Sequence, residues 1–398
     1  MYEIAPGIFW TGIKHWTLRH FHGRELSTHR GSTYNSYLIK DEKTVLVDTV
    51  WSPFADQFAA QLDADVGLGA IDAIVINHIE PDHGGSLGRL FERGLRPDTP
   101  IYCSKPGVNI IKKYFQKEGW NFIPVSTGDT LKIGKYELVF IDMRMIHWPD
   151  SMATYVKGAA TLLSNDAFGQ HYCASGFFND EVDNYVLYQE ALKYYAGILA
   201  PYTKLIERKV NELLTLGLQI NVIAPSHGVF WRDDPLQIVH KYLEWSKDYN
   251  DGSVVIAYDC LYESTGAIAA AIAQGLFNRG VPHKIVNTGV ADVSDLILDL
   301  FCAKGMIIGS STINNTMHRS IAGLLDDVRG HKLKGKLGAS FGSYGWSGEA
   351  PGLIAGCLKE AGLEFFRDPI RIQFAPTPAE LAACVKFGED FADRINQI

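Results

Sequence analysis

The stretch "NHIEPDHGG", residues 77–85, puts four potential metal ligands, His78, Glu80, Asp82 and His83, within six positions. It follows "AIVI", a run of strand-forming residues, and closes on Gly84-Gly85, a pair that permits tight backbone around a cluster. Side chains repeat every two residues in extended backbone. His78, Glu80 and Asp82 are therefore predicted to share one side, with His83 where the chain turns into a helix. Two carboxylates packed together repel one another and resist desolvation, so such a group needs a cation. An isolated H-x-E or D-H pair reads more simply as a solvated polar loop. Four ligand types together, after a strand and before two glycines, point to metal.

Further ligands are expected at other strand ends. His147 in "MIHWPD" follows the strand-like "YELVFIDM", Asp166 in "LLSNDAFG" follows "AATLLS", and His227 in "VIAPSHG" follows "INVIAP". A single strand-end His or Asp is more often a turn or cap residue, and it is the repetition that carries weight. Nitrogen-rich tetrahedral sets suit zinc, whereas mixed carboxylate and imidazole ligation with open positions suits redox-active iron.

The 398 residues exceed one ordinary domain, and two are expected. Short strand-like runs with turn signals dominate before residue 250, with helical patterns at 182–199 and 201–216. The polar stretch "WSKDYNDGS", 245–253, reads as a linker. After it strand and helix alternate about five times: strands "SVVIAYD", "HKIVNT", "GMIIGS", "KLGASFGS" and "RIQFAP", with helices over 266–279, 293–302, 319–328 and 349–361. That order predicts a doubly wound parallel sheet with ligands at the carboxyl ends of its strands.

The net charge of −8 argues against nucleic acid or an anionic membrane as partner. No apolar run approaches the roughly 20 residues of a membrane span, and the N-terminus lacks a secretion signal. The six cysteines are scattered, with no C-x-x-C pair. That excludes a rubredoxin-type iron site within these residues and suits a reducing cytoplasm.

The loop "CLYESTG", 260–266, joins the first strand of the second half to an Ala-rich helix. Backbone N–H groups and the hydroxyls of Ser264 and Thr265 there suit a phosphate. An N-cap Ser/Thr is the plain alternative. Two more strand-end loops, "GSSTINN" (309–315) and "GSYGWSG" (342–348), favour a ligand, and Tyr344 and Trp346 offer aromatic faces to a planar ring. No G-x-G-x-x-G with a downstream acid marks a dinucleotide site.

The loop resembles that of the metallo-β-lactamase fold, H-x-H-x-D-H, with Glu80 in place of the second histidine. H-x-E-x-D-H joined to a flavodoxin-like domain resembles the flavodiiron proteins, over essentially the whole chain. "HRGSTYNSYLI" (29–39), "HWPDSM" (147–152), "NDAFGQH" (165–171), "APSHG" (224–228) and "FGSYGWSG" (341–348) carry the likeness. It implies an α/β chain: a metallo-β-lactamase-like αββα domain over residues 1–250, then a flavodoxin-like doubly wound parallel sheet over 251–398. It implies two non-haem iron ions, one on His78, Glu80 and His147 and one on Asp82, His83 and His227, bridged by Asp166. Asp48, His22, His171, Trp148 and Tyr195 are candidates to orient these ligands.

The likeness also implies FMN, held by Cys260, Leu261, Tyr262, Ser264, Thr265, Ser311, Thr312, Ile313, Asn314, Ser343, Tyr344, Gly345, Trp346 and Ser347. Three of these depart from the family, which usually has Ser at Cys260, Trp at Tyr262 and Pro at Ser311. Expected substrates are O2, giving water, and NO, giving N2O. An external donor is expected, a rubredoxin or a reduced deazaflavin, and a head-to-tail homodimer or dimer of dimers would bring flavin to iron. The competing expectations are a metallo-β-lactamase-type zinc hydrolase with a regulatory flavodoxin-like domain, and a plain electron-transfer flavoprotein.

Overall fold

A computed structural model describes residues 1–23 and 25–398. The chain divides into two compact units. One comprises Met1–Phe21 and Thr28–Lys247, the other His22–Ser27 and Asp248–Ile398. The change of unit after Lys247 falls within the polar stretch read as a linker. The short segment His22–Ser27 was not separable by sequence. It joins the second unit because the Ser27 N–H donates to Ser294 Oγ at 3.0 Å and the Ser27 hydroxyl to Asp292 Oδ1 at 2.9 Å.

Two facing sheets build the first unit. A seven-stranded mixed sheet runs in the order Tyr2–Ala5, Ile8–Trp10, Tyr37–Lys40, Thr44–Val47, Ala73–Ile76, Ile101–Ser104, Phe122–Val125. A five-stranded sheet runs Thr130–Lys132, Glu137–Asp142, Met152–Lys157, Thr161–Asn165, Val222–Pro225. Val45, Val47 and Val75 from the first pack with Leu138, Phe140, Val156 and Leu163 from the second in one apolar core. Leu46 and Ile74, on the opposite face of the first sheet, are buried as well, so the centre of that sheet is covered on both sides. This is the αββα arrangement.

Four strands, Ala73–Ile76, Glu137–Asp142, Thr161–Asn165 and Val222–Pro225, lead into the segments that carry the predicted ligands. The pattern read as one helix over 182–199 is an α-helix, Asn184–Tyr194, followed by a π-helical turn, Tyr195–Leu199.

The second unit is a parallel sheet in the order His283–Asn287, Val254–Asp259, Gly305–Ser310, Leu337–Tyr344, with Glu364–Phe365 and Ile370–Gln373 both beside the last. The first strand in sequence therefore lies between the second and third, which is the flavodoxin-like order and sets the switch point next to it. A C-terminal helix, Pro378–Ile395, has no counterpart in the sequence reading. Its start was legible in "TPAE", where Thr377 accepts from the Glu380 N–H at 3.3 Å, Glu380 accepts from the Thr377 N–H at 2.8 Å, and Pro378 opens the first turn. Among the described residues no helix is long and apolar enough to cross a membrane.

Candidate metal centre

The quoted loop is extended only as far as Glu80. Pro81–Gly84 then forms a helical turn with Glu80 as its N-cap residue. The four ligands are thereby split rather than aligned on one side. His78 and Glu80 fall into one group with His147 and Asp166, while Asp82 and His83 form another with His227. Thr49 anchors the turn, its N–H and hydroxyl both donating to the His83 carbonyl, at 2.6 and 2.7 Å. Gly85 serves by close approach, since a Cβ there would lie 2.1 Å from the Pro81 carbonyl oxygen.

In the first group Glu80 Oε2 lies 3.1 Å from His78 Nε2 and 3.2 Å from His147 Nε2. Asp166 Oδ2 is 3.6 and 3.4 Å from the same two nitrogens. In the second, Asp82 Oδ2 lies 3.0 Å from His227 Nε2 and 3.4 Å from His83 Nε2, and Asp166 Oδ1 is 3.0 Å from His83 Nε2. Ligands about 2.1 Å from one ion sit about 3 to 3.5 Å from each other, so both groups have the spacing of a coordination shell. Asp166 turns one oxygen to each.

The donor set fits a pair of cations on a further ground. Asp82 Oδ1 and Asp166 Oδ2 are buried with no hydrogen-bond partner, a costly state for a carboxylate without a positive neighbour. Burial pushes the His83 imidazole down, yet the Asp82 and Asp166 charges raise it to about 9. Without metal the cluster would hold protons, which a cation displaces on binding.

Neighbours fix the rings. Asp150 faces His78 Nδ1 with both oxygens at 3.1 Å and accepts the Ile79 N–H at 2.8 Å. His227 Nδ1 lies 2.6 Å from the Thr33 carbonyl, to which it donates. These contacts aim Nε2 of both rings at the cluster. Tyr194 and Ser226 each donate a hydroxyl to Asp166 Oδ1 at 3.1 Å.

Of the predicted orienting residues, Asp48 is buried and accepts from the Asn77 N–H at 2.7 Å and the Asn165 amide at 3.3 Å. Burial pushes Asp48 up to about 6, against the pull of His83 and these donors. Trp148 sets its ring edge-on to His78, centroids 5.0 Å apart. His171 Nδ1 bonds Ser32 Oγ at 2.8 Å and its ring lies 4.9 Å from that of His227.

Tyr195 packs on Tyr242 and Trp245, at 5.1 and 5.5 Å, because successive helical residues point about 100° apart; its neighbour Tyr194 reaches the carboxylate instead. His22 sits in an exposed turn, with φ of +49°. Asp150 and Tyr194 were missed. Asp150 was legible, three residues after His147, whereas Tyr194 depended on helical phase.

In the second unit the three predicted loops meet. Thr265 Oγ1 and Ser343 Oγ are 2.8 Å apart, the Thr312 N–H donates to the Ser343 carbonyl at 3.0 Å, and the Leu261 N–H to Ser311 Oγ at 3.3 Å. Cys260, Ile313 and Asn314 lie within these loops, as do Gly345 and Ser347. The helix Ser264–Asn278 opens with no side-chain cap, which leaves its first-turn amides for a phosphate. Tyr262 and Trp346 are 84% and 75% exposed and Tyr344 is half-buried, a set of aromatic faces suited to a flavin ring. These residues fit FMN.

Fold and site together define a dinuclear metalloprotein of metallo-β-lactamase type joined to a flavodoxin-like unit. Residues 33–228 match the family described as ODP family beta lactamase, and residues 256–388 match the flavodoxin family. The chain is 45% identical, over 98% of its length and 81% of the relative's, to an anaerobic nitric oxide reductase flavorubredoxin of Klebsiella pneumoniae. Its fold matches the rubredoxin oxygen:oxidoreductase of Desulfovibrio gigas with a TM-score of 0.96 at 32% identity, covering 100% of this chain and 98% of the other. It matches the flavodiiron protein of Giardia intestinalis at 0.94 and 33%, over 99% and 96%. The chain belongs to the flavodiiron protein family. Its cofactors are FMN and a non-haem di-iron centre.

Proposed function

We propose that the chain reduces NO to N2O and O2 to water at the paired cluster, with electrons passed through FMN from an external carrier. The relative named a nitric oxide reductase and the structure named a rubredoxin oxygen:oxidoreductase support this reading over a zinc hydrolase. The observation that carries it is Asp166, whose two oxygens face two separate imidazole groups in a chain that also has a flavodoxin-like unit.

In this reading His78, Glu80 and His147 would hold one iron and Asp82, His83 and His227 the other, with Asp166 turning an oxygen to each group. The irons supply gas-binding positions and redox change, and the flavin links a one-electron carrier to a multi-electron reduction. The protein's own part is placement. Asp150 and the Thr33 carbonyl fix two imidazoles, and Tyr194 and Ser226 hold the bridge. Glu80 and His147 side chains are each 11% exposed, against 1% for those of His83 and His227, so gas and protons reach the first group from outside more readily.

The donor is a rubredoxin-type protein, a choice supported by the names of both relatives. Short electron paths favour a head-to-tail homodimer in which one copy's flavin serves the other's irons. The six free cysteines suit a cytoplasmic setting. The test is metal analysis and a visible spectrum of the purified chain, then anaerobic turnover with a reduced rubredoxin on NO and on O2. Iron, a yellow flavin and gas consumption are expected. Zinc without flavin would return the chain to the hydrolases.

A further inference from the structure

Beside the second ligand group a line of oxidisable rings runs outward. The Tyr34 ring stands 6.0 Å from that of His227, edge to face at 71°, and 5.8 Å from that of Trp51. Tyr34 is fully buried and Trp51 half-buried, so the line leads from a ligand of the second group toward the surface in two steps. His15 joins from the side, its ring 6.2 Å from Trp51 and its Nδ1 3.2 Å from Tyr34 Oη. Phe54 packs on all three, at 5.0 Å from His15, 5.8 Å from Tyr34 and 6.3 Å from Trp51.

The pair of Tyr34 and His15 is suited to losing an electron. Burial, with the charge of Asp82, raises the Tyr34 pKa, so the phenol is neutral and gives up an electron readily only if its proton leaves as well. A buried phenol O–H needs an acceptor, and His15 Nδ1 provides it. His15 then carries its own hydrogen on Nε2. Burial lowers its pKa from 6.5, so at neutral pH the ring is uncharged and can take the proton. Other aromatic side chains near the ligands are arranged differently. The Tyr194 hydroxyl is engaged by Asp166, and Tyr195, Tyr242 and Trp245 pack on one another but are all buried, which leaves them no outlet. Trp148 meets the His78 ring directly, with no phenol between.

Reducing O2 to water takes more electrons than two ferrous ions hold, so a centre cut off from its donor is left short. We propose that Tyr34, His15 and Trp51 form an escape route that carries this deficit from the metal centre to the surface. The proposal rests on iron at the paired groups. An electron leaves Tyr34 for the centre while the phenol proton moves to His15 Nδ1. Trp51 then returns an electron to Tyr34, which takes its proton back, and the indole gives its N–H proton to water. A soluble thiol restores Trp51 by giving it a hydrogen atom; without one, O2 adds to the ring.

The test adds excess hydrogen peroxide, without thiol or electron donor, to the iron-loaded holoenzyme, to the same chain loaded with zinc, and to Tyr34→Phe, His15→Gln and Trp51→Phe. Electron paramagnetic resonance reads the radical, peptide mass spectrometry reads which side chains gain oxygen, and metal content is measured in each chain. An aromatic radical and oxygen on Trp51 are expected in the unmodified iron-loaded chain. Trp51 oxidation should drop to the level of the zinc-loaded chain in Tyr34→Phe and in His15→Gln, and Trp51→Phe should hold its radical as a tyrosyl. Should Tyr34→Phe lose its iron, the other two variants decide. Equal Trp51 oxidation with zinc, or in the Tyr34 and His15 variants with iron bound, would overturn the route. Oxygen on Trp148 or on the ligand histidines with Trp51 intact would do the same. An unmodified chain that takes up no iron would remove the metal reading and the route with it.

Discussion

The Tyr194 hydroxyl donates to Asp166 Oδ1 at 3.1 Å, both side chains being buried. Asp166 is the one carboxylate shared by the two ligand groups, so this contact bears on both. Tyr194→Phe keeps the ring and removes the donor. Metal affinity or gas turnover is expected to fall about 10- to 100-fold, as for other groups that hold a metal ligand from behind. Tyr195→Phe, one residue on, should leave iron content where it was. Equal iron content and turnover in Tyr194→Phe and the unmodified chain would show that the bond has no such role.

Glu80 supplies the carboxylate of the first group, 3.1 Å from His78 Nε2 and 3.2 Å from His147 Nε2. Glu80→His restores a nitrogen-rich set and is expected to shift the bound metal toward zinc and abolish gas reduction. Metal analysis by mass spectrometry, with turnover on NO and O2, decides this. Retained iron and full turnover would sink the account of Glu80.

Lys336 gives a pH-dependent stability in the second unit. Burial, against the pull of Cys302 and Asp251, lowers its pKa from 10.5 to about 8. Its ammonium donates to the Phe301 carbonyl at 2.9 Å and to that of Ala303, at the end of the helix Val293–Cys302. The unfolded chain keeps the ordinary value, so between about 8 and 10.5 it binds more protons than the folded one. Stability from this group is thus complete above the upper value and lost as pH falls through the lower. Urea unfolding at about pH 7.5 and about pH 10 should show it, with the difference reduced in Lys336→Met. An identical difference in that variant would rule Lys336 out as the source.

Gly388 lies on the C-terminal helix Pro378–Ile395 where it crosses the helix Ser264–Asn278. A Cβ at Gly388 would stand 2.1 Å from the Ile272 carbonyl oxygen, and one at Gly275 equally close to that of Val385. Gly388→Val must push the helices apart, at about 1 to 3 kcal/mol or more. The melting temperature of the second unit should drop, and FMN retention with it, because Ser264 and Thr265 open the displaced helix. An unchanged melting temperature would mean that the helices separate at no cost.

The ligand loop was legible because unlike ligand types crowd one strand end, and composition alone exposes that. Its division was implied by the family resemblance and not by alternation, since Pro81 starts a helical turn that a two-residue period cannot foresee. The strand and helix order of the second half was open to reading because each parallel strand is an apolar run set off by turns. Tyr194 stayed hidden behind Tyr195. Adjacent tyrosines look alike in sequence, and only helical phase and the π turn at Tyr195–Leu199 decide which one faces Asp166. The segment His22–Ser27 was invisible for another reason. The partners of Ser27, Ser294 and Asp292, lie 267 and 265 residues further along the chain.

The crossing at Gly275 and Gly388 also sets an order of events at the ribosome. The first unit is complete by Lys247, and it can fold while the remainder is still being made. The helix that opens at the flavin phosphate loop emerges soon after, but the helix it rests on is encoded by residues 378–395. A nascent chain therefore has its iron ligands assembled well before it has a firm seat for flavin. Metal loading can therefore begin before flavin loading, while the chain is still being made.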